Sequence, residues 1–185
     1  MLIVKVFVFL LFLGIGRSAP LDAQDLLQKI DELTERVATL EINKRAIFEG
    51  PVAFTATLVN TIEHVGDHQH IVFDHVITNI GDSYSPMNGH FTAPVRGAYA
   101  FFVVLTNTPG HAASVVLIRN GQWLGEVLAD DESNVAYTTS TLAITAQLEA
   151  GDQLWVQNEY SFSGQEQIDG HDGWTSFSGH LIQQN

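Results

Sequence analysis

Apolar positions along this chain follow three different periods. Val6 to Leu13 is an unbroken apolar run. Between residues 21 and 47, Leu26, Ile30, Leu33, Val37, Leu40 and Ile47 recur at alternating steps of three and four, with Lys44 in the one polar place. From Val52 onward the step becomes two: Val52, Phe54, Ala56 and Leu58 alternate with small or polar residues. The first pattern predicts an export segment, the second an amphipathic helix and the third β-strands.

The heptad register puts Leu26, Leu33, Leu40 and Ile47 at d, and Ile30, Val37 and Lys44 at a. Acids crowd the start of this segment and Lys44 and Arg45 its end, which suits the helix dipole. About three heptads do not hold a helix in isolation. The stripe therefore predicts a self-associating coiled coil; the rival is one helix lying on the head. β-branched residues at a with Leu at d favour dimers. Against this, Arg36-Val37-Ala38-Thr39-Leu40-Glu41 resembles the Arg-apolar-x-x-apolar-Glu motif of short three-stranded coiled coils, where the Arg stem covers the seam and its guanidinium reaches a Glu of the next helix.

Beyond Ile47 no helical period recurs. Ala98–Leu105 is apolar at successive positions, which predicts a strand buried on both faces. Ala113–Arg119 and Gln122–Leu128 flank Asn120-Gly121, a strong hairpin signal. Leu142, Ile144, Ala146 and Leu148 share one face of a strand, Gly151-Asp152 turns the chain into Leu154-Trp155-Val156, and a last strand covers Thr175–Ile182. Many short strands with regular turns predict an all-β sandwich or jelly roll.

Residues 73 to 102 are the most specific stretch. Phe73, Asn79, Tyr84, Phe91, Gly97, Tyr99 and Phe101 sit at the spacings of the globular-head signature of complement component 1q, and this segment resembles that family. FTAPVRGAYAF at 91–101, GDQLWVQ at 151–157 and TSFSGHLI at 175–182 agree with it. Val103 departs from the pattern, which ends in an aromatic there. No Gly-x-y collagen repeat precedes the head; a coiled coil stands in its place, as in short secreted members of the family, many of them invertebrate. The resemblance implies a ten-stranded jelly-roll sandwich of the tumour-necrosis-factor type, assembled as a homotrimer, or in higher order, behind a short N-terminal helix. The expected organisation is a signal peptide at 1–18, a stalk at 21–47 and a head at 48–185.

The apolar run at the start, led by Lys5 and followed by Gly14, Gly16, Ser18 and Ala19, has the layout of a secretory signal cut after Gly16 or Ser18. A retained anchor is the alternative, but a span needs about 20 apolar residues. The expected location is extracellular, with no membrane insertion after cleavage. The chain has no cysteine, so stability in an oxidising compartment must come from core and assembly. No N-glycosylation sequon occurs. Composition is acidic, with 21 Asp and Glu against 8 Lys and Arg and a formal net charge of −13. From Ala46 on, only Arg96 and Arg119 are basic. Such a head repels nucleic acid and anionic membranes.

No catalytic arrangement is present: no Cys nucleophile, Gly-x-Ser-x-Gly elbow, phosphate loop or His-Glu-x-x-His. The expectation is a protein that is not an enzyme. Three polar clusters are candidate sites. His68 and His70, on one face of an extended segment, suit zinc or copper. Asp130, Asp131 and Glu132 offer oxygens for calcium, which some members of the family bind in the corresponding loop; here the downstream place for a further acid holds Thr138 or Thr139. Asp169, His171, Asp172 and Trp174 lie in a long loop before the last strand, where a Trp beside Asp and His suits a sugar. The resemblance points to a lectin-like protein of innate immunity, binding microbial or cell-surface glycans with avidity from three heads. Alternatives are an extracellular structural or calcium- and metal-handling protein, and a trimeric ligand for a cell-surface receptor.

Overall fold

The computed structural model describes residues 23–46, 50–130, 135–159 and 167–185. They fall into two units, one ending at Asn43 and the other running from Lys44 to Asn185. Helix α1 spans Ala23–Ala46, all but its last three residues belonging to the first unit, and lies within the expected stalk. Leu26, Ile30, Leu33 and Val37 all stand exposed on it, and Ile30, Leu33, Thr34 and Val37 line a shallow groove of about 330 Å³. Arg36 lies 3.9 Å from Glu32 on its own helix. Ile47, and the side chains of Leu40 and Glu41, fall outside the described residues.

The second unit is a β-sandwich. Its strands are β1 (Ala53–Thr57), β2 (Ile62–Glu63), β3 (His75–Ile80), β4 (Tyr84–Ser85), β5 (His90–Thr92), β6 (Gly97–Asn107), β7 (Ala112–Arg119), β8 (Gln122–Asp130), β9 (Thr138–Leu148), β10 (Gln153–Asn158), β11 (Gln167–Ile168) and β12 (Ser176–Gln184). One sheet has the order β3-β1-β12-β6-β9 and the other β4-β5-β10-β7-β8. These are the ten strands expected; β2 and β11 add a two-stranded ribbon.

The signature residues hold the two sheets together. Phe54 stacks on Tyr84 at 5.0 Å between centroids and meets Phe177 edge-on at 4.9 Å, while Phe91 meets Phe101 edge-on at 5.2 Å. These geometries suit the aromatic quadrupole and add to the burial of large apolar area. Tyr84 and Tyr99 are buried with their hydroxyls donating to the carbonyls of Phe73, at 3.0 Å, and Val95, at 2.8 Å. Asn79 closes the turn between β3 and β4: its Nδ2 donates to the Tyr84 carbonyl at 2.9 Å and its Oδ1 accepts from the Tyr84 N–H at 3.1 Å. Gly97 lies against β12, where a Cβ would stand 2.5 Å from the Gln183 carbonyl oxygen. Val103, where the signature has an aromatic, is buried in the same core.

The expected hairpin forms between β7 and β8. Asn120 and Gly121 both have positive φ, 49° and 81°, as a tight two-residue turn requires. It is fastened to the turn before β10. Asp152 takes a 2.6 Å bond from Arg119 Nη2 and a 2.7 Å bond from Asn120 Nδ2. Burial alone would raise this carboxyl, but the Glu149 N–H, the Asn120 amide and the Arg119 guanidinium outweigh it and hold the group below the usual range.

One expectation fails. Strand β6 is not buried on both sides, for its inward residues Tyr99, Phe101, Val103 and Leu105 are covered, whereas Phe102 is 37% exposed and Val104 half-buried on the outward face. Ala100, on the same face, is 7% exposed. Register places Ala143, Thr141 and Thr145 of β9 on one flank and Ser176, Ser178 and His180 of β12 on the other. The sandwich has two layers, so among the described residues of the head no third layer of strands or helix covers the outside of this sheet. Among these residues none is acidic, and His180, stacked on Phe102 at 6.1 Å, is the one ionisable group.

Candidate functional site

The structure divides the loop that precedes β12. Asp169 is 2% exposed and accepts hydrogen bonds from Thr61 Oγ1 and the His171 N–H, each at 2.9 Å. It ties the loop to the chain before β2 and is not presented to a ligand, contrary to the expectation drawn from sequence. Gly170 packs directly on the Asn60 backbone, leaving no room for a side chain. These two residues project the next three outward as a short 3-10 turn, His171–Gly173, with Asp172 at a left-handed φ of 51°.

His171, Asp172 and Trp174 do come together at the surface. His171 Nε2 lies 3.4 Å from Asp172 Oδ2, and the His171 ring meets Trp174 edge-on at 6.0 Å. Trp174 also meets Tyr137 edge-on at 5.1 Å, in a nearly perpendicular arrangement. Both aromatics are about half-exposed. Tyr137 was not among the residues singled out from sequence. It lies in the connection to β9, 37 residues from Trp174, and no local pattern joins them. Asp172 and Gly173 also line an open cleft of about 510 Å³, whose other walls include Thr57, Val59, His75 and Ile77. The site therefore combines a convex aromatic pair with a neighbouring cleft, linked by one carboxylate. It offers apolar rings for C–H faces and a His–Asp pair for hydroxyl groups.

The other candidates fare differently. Asp130 is exposed at the end of β8, opposite Ala112. Asp131 and Glu132 lie outside the described residues. Thr139 Oγ1 is 3.0 Å from Thr106 Oγ1. Among the described residues no three His, Asp or Glu side chains converge as a metal site. His68 and His70 do not share one face of an extended segment. His68 sits in a turn at a φ of 54°, with Nδ1 3.4 Å from Gln157 Nε2. His70 Nδ1 meets His90 Nε2 instead, at 3.1 Å. The turn at Gly66, where Gln69 returns hydrogen bonds to the same residue, breaks the extended geometry that the pairing of His68 with His70 needed.

A two-sheet antiparallel sandwich of this strand order, with this aromatic core, defines a jelly roll of the complement and tumour-necrosis-factor type. The C1q domain model matches residues 53–182, and the chain belongs to the C1q domain family. Complement C1q tumor necrosis factor-related protein 3 of Mus musculus is 29% identical over 133 residues, covering 71% of this chain and 51% of that protein. The Homo sapiens protein of the same description shows the same figures. Caprin-2 of Danio rerio is 34% identical over 107 residues, covering 57% of this chain and 12% of that protein. The chain thus spans about half the length, or less, of the curated relatives it matches. Among solved structures, the globular domain of zebrafish complement 1qA superposes with a TM-score of 0.58 at 18% identity, covering 72% of this chain and 99% of that one. The Eiger TNF structure from S. frugiperda gives 0.57 at 14% identity, over 73% and 93% of the two chains. These two likenesses are of fold. Among the described residues no helix is long and apolar enough to cross a membrane.

Proposed function

We propose that this chain is a secreted, non-catalytic recognition protein that assembles as a trimer and binds glycans of microbial or cell surfaces, in innate defence. The observation that carries the glycan part is the exposed Trp174–Tyr137 pair beside His171 and Asp172. Aromatic rings of this exposure stack on the apolar face of a sugar, and the adjacent imidazole and carboxylate bond its hydroxyls. One such shallow site binds weakly. Three copies on one assembly raise the effective concentration and with it the avidity. Assembly is supported by the acid-free outer face around Phe102 in so acidic a chain, and by the exposed heptad stripe of α1.

A glycan array probed with the mature chain, with and without chelator, tests this reading. Binding that sugar competes away and that Trp174→Ala abolishes is the expected result. A silent array, or binding indifferent to Trp174→Ala, retires it. The likeness to a C1q tumor necrosis factor-related protein favours a second reading, a ligand for a cell-surface receptor. Saturable binding to cells stripped of glycans would support that instead.

A further inference from the structure

The outward face of the second sheet carries a cluster that the proposed function does not use. His90 opens β5, and its ring stacks on Trp155 of β10 at 4.8 Å and 12°. His70, bridged to Gln157 just outside the strands, stacks on the same indole at 5.2 Å and 28°. Trp155 is itself fixed, its Nε1–H donating to Gln157 Oε1 at 2.9 Å. One indole thus holds two imidazoles side by side, with His70 Nδ1 and His90 Nε2 3.1 Å apart.

We propose that His70 and His90 form a two-imidazole site for a borderline transition-metal ion such as zinc, nickel or copper(II). Two nitrogens bound to one such ion at about 2.0–2.1 Å lie about 2.9–3.4 Å apart, for square-planar to tetrahedral angles. The observed separation falls inside that bite. In the metal-free chain one ring donates its N–H to the other. On binding, the ring that donates shifts its proton to its other nitrogen, and each ring turns its lone pair off the line between them toward the ion. The remaining positions on the ion are open to water or to an external donor. His70 is exposed and His90 half-buried, so the ion enters from solvent. The site lies on the opposite sheet from Phe102, and it depends on neither the glycan reading nor the assembly.

The test uses the full mature chain. Isothermal titration with zinc chloride and with nickel chloride should show one saturable site per chain. His90→Phe and His70→Phe keep a ring on Trp155 and remove the nitrogen; each should weaken that site by well over tenfold, with the fold checked by circular dichroism. His75→Phe, an exposed histidine on β3, should leave it unchanged. Because the indole touches both rings, copper(II) should quench Trp155 fluorescence with the same saturation, and His90→Phe should remove that quenching. A titration without a saturable site overturns the proposal, as does wild-type affinity in His90→Phe.

Discussion

Replacing Gly97 with alanine tests the packing of the head most sharply. The φ of Gly97 is not in the left-handed region, so backbone freedom is not why glycine stands there. With no collision, a Gly to Ala change at such a place would stabilise by about 0.4–1 kcal/mol through the unfolded chain. The structure predicts the opposite sign. The new Cβ would stand 2.5 Å from the Gln183 carbonyl oxygen and 2.7 Å from Leu181 Cδ1, and real Cβ atoms do not approach below 3.0 Å. The leucine can rotate, but the oxygen belongs to the β12 backbone. Relief therefore requires opening the end of the β6–β12 ladder, where Gly97 pairs with Gln184 and Ala98 with Gln183. Overpacking of this kind costs about 1–3 kcal/mol, and a rigid backbone neighbour puts it at the upper end. The net loss is then about 2 kcal/mol, or roughly 8 °C in Tm for a domain of this size. Thermal unfolding by near-ultraviolet circular dichroism, at one fixed protein concentration, reads it. Gly121→Ala is the control: a Cβ there meets nothing within 4 Å, but φ is 81°, so strain alone costs about 1 kcal/mol. Gly97→Ala should melt below Gly121→Ala. A Gly97→Ala chain as stable as wild type would refute the collision argument.

Three further outcomes follow from the same structure. Asn79→Ala strands the N–H and carbonyl of buried Tyr84, so denaturant unfolding should show a loss of about 1–3 kcal/mol without a change in m-value. Burial raises the phenol pKa of both Tyr84 and Tyr99 above the ordinary value near 10, only partly offset by their hydrogen bonds to backbone carbonyls. In the folded chain both stay protonated while the unfolded chain ionises them, so their contribution is intact below pH 10 and is lost as pH rises. Each removes at most about 1.4 kcal/mol of stability per pH unit, and only until its folded-state pKa is reached; Tyr84→Phe should flatten the alkaline limb in a chemical-denaturation series. Val37→Asp places a charge in the apolar stripe of α1; helicity at 222 nm should fall while the β signal of the head persists, and unchanged helicity would remove the stripe as an interface.

How far the sequence foretold this structure depended on distance along the chain. Asn120-Gly121 announced its hairpin because a two-residue turn with positive φ is a local demand. The spacing from Phe73 to Phe101 announced the sandwich because its aromatics, Asn79 and Gly97 each answer a steric or hydrogen-bonding need of that core. What stayed hidden required register between separate strands. Phe102 reads as a core residue in an apolar run, yet the two-layer packing turns it outward. Asp169 reads as a loop acid, yet Thr61, far off in sequence, draws it inside. His70 reads as the neighbour of His68, whereas β5 and β10 bring His90 to it over Trp155. A slip of one residue exchanges the two faces of a strand, and no short pattern fixes that choice.

The account rests most heavily on self-assembly through the outer face of the first sheet. Sedimentation equilibrium on the mature chain, compared with a Val37→Asp/Phe102→Glu double variant, tests this directly. Wild type should sediment as three chains, and the double variant, which sets charges into both the helical stripe and the sheet face, as one. A monomeric wild type, or a double variant that remains a trimer, would contradict it.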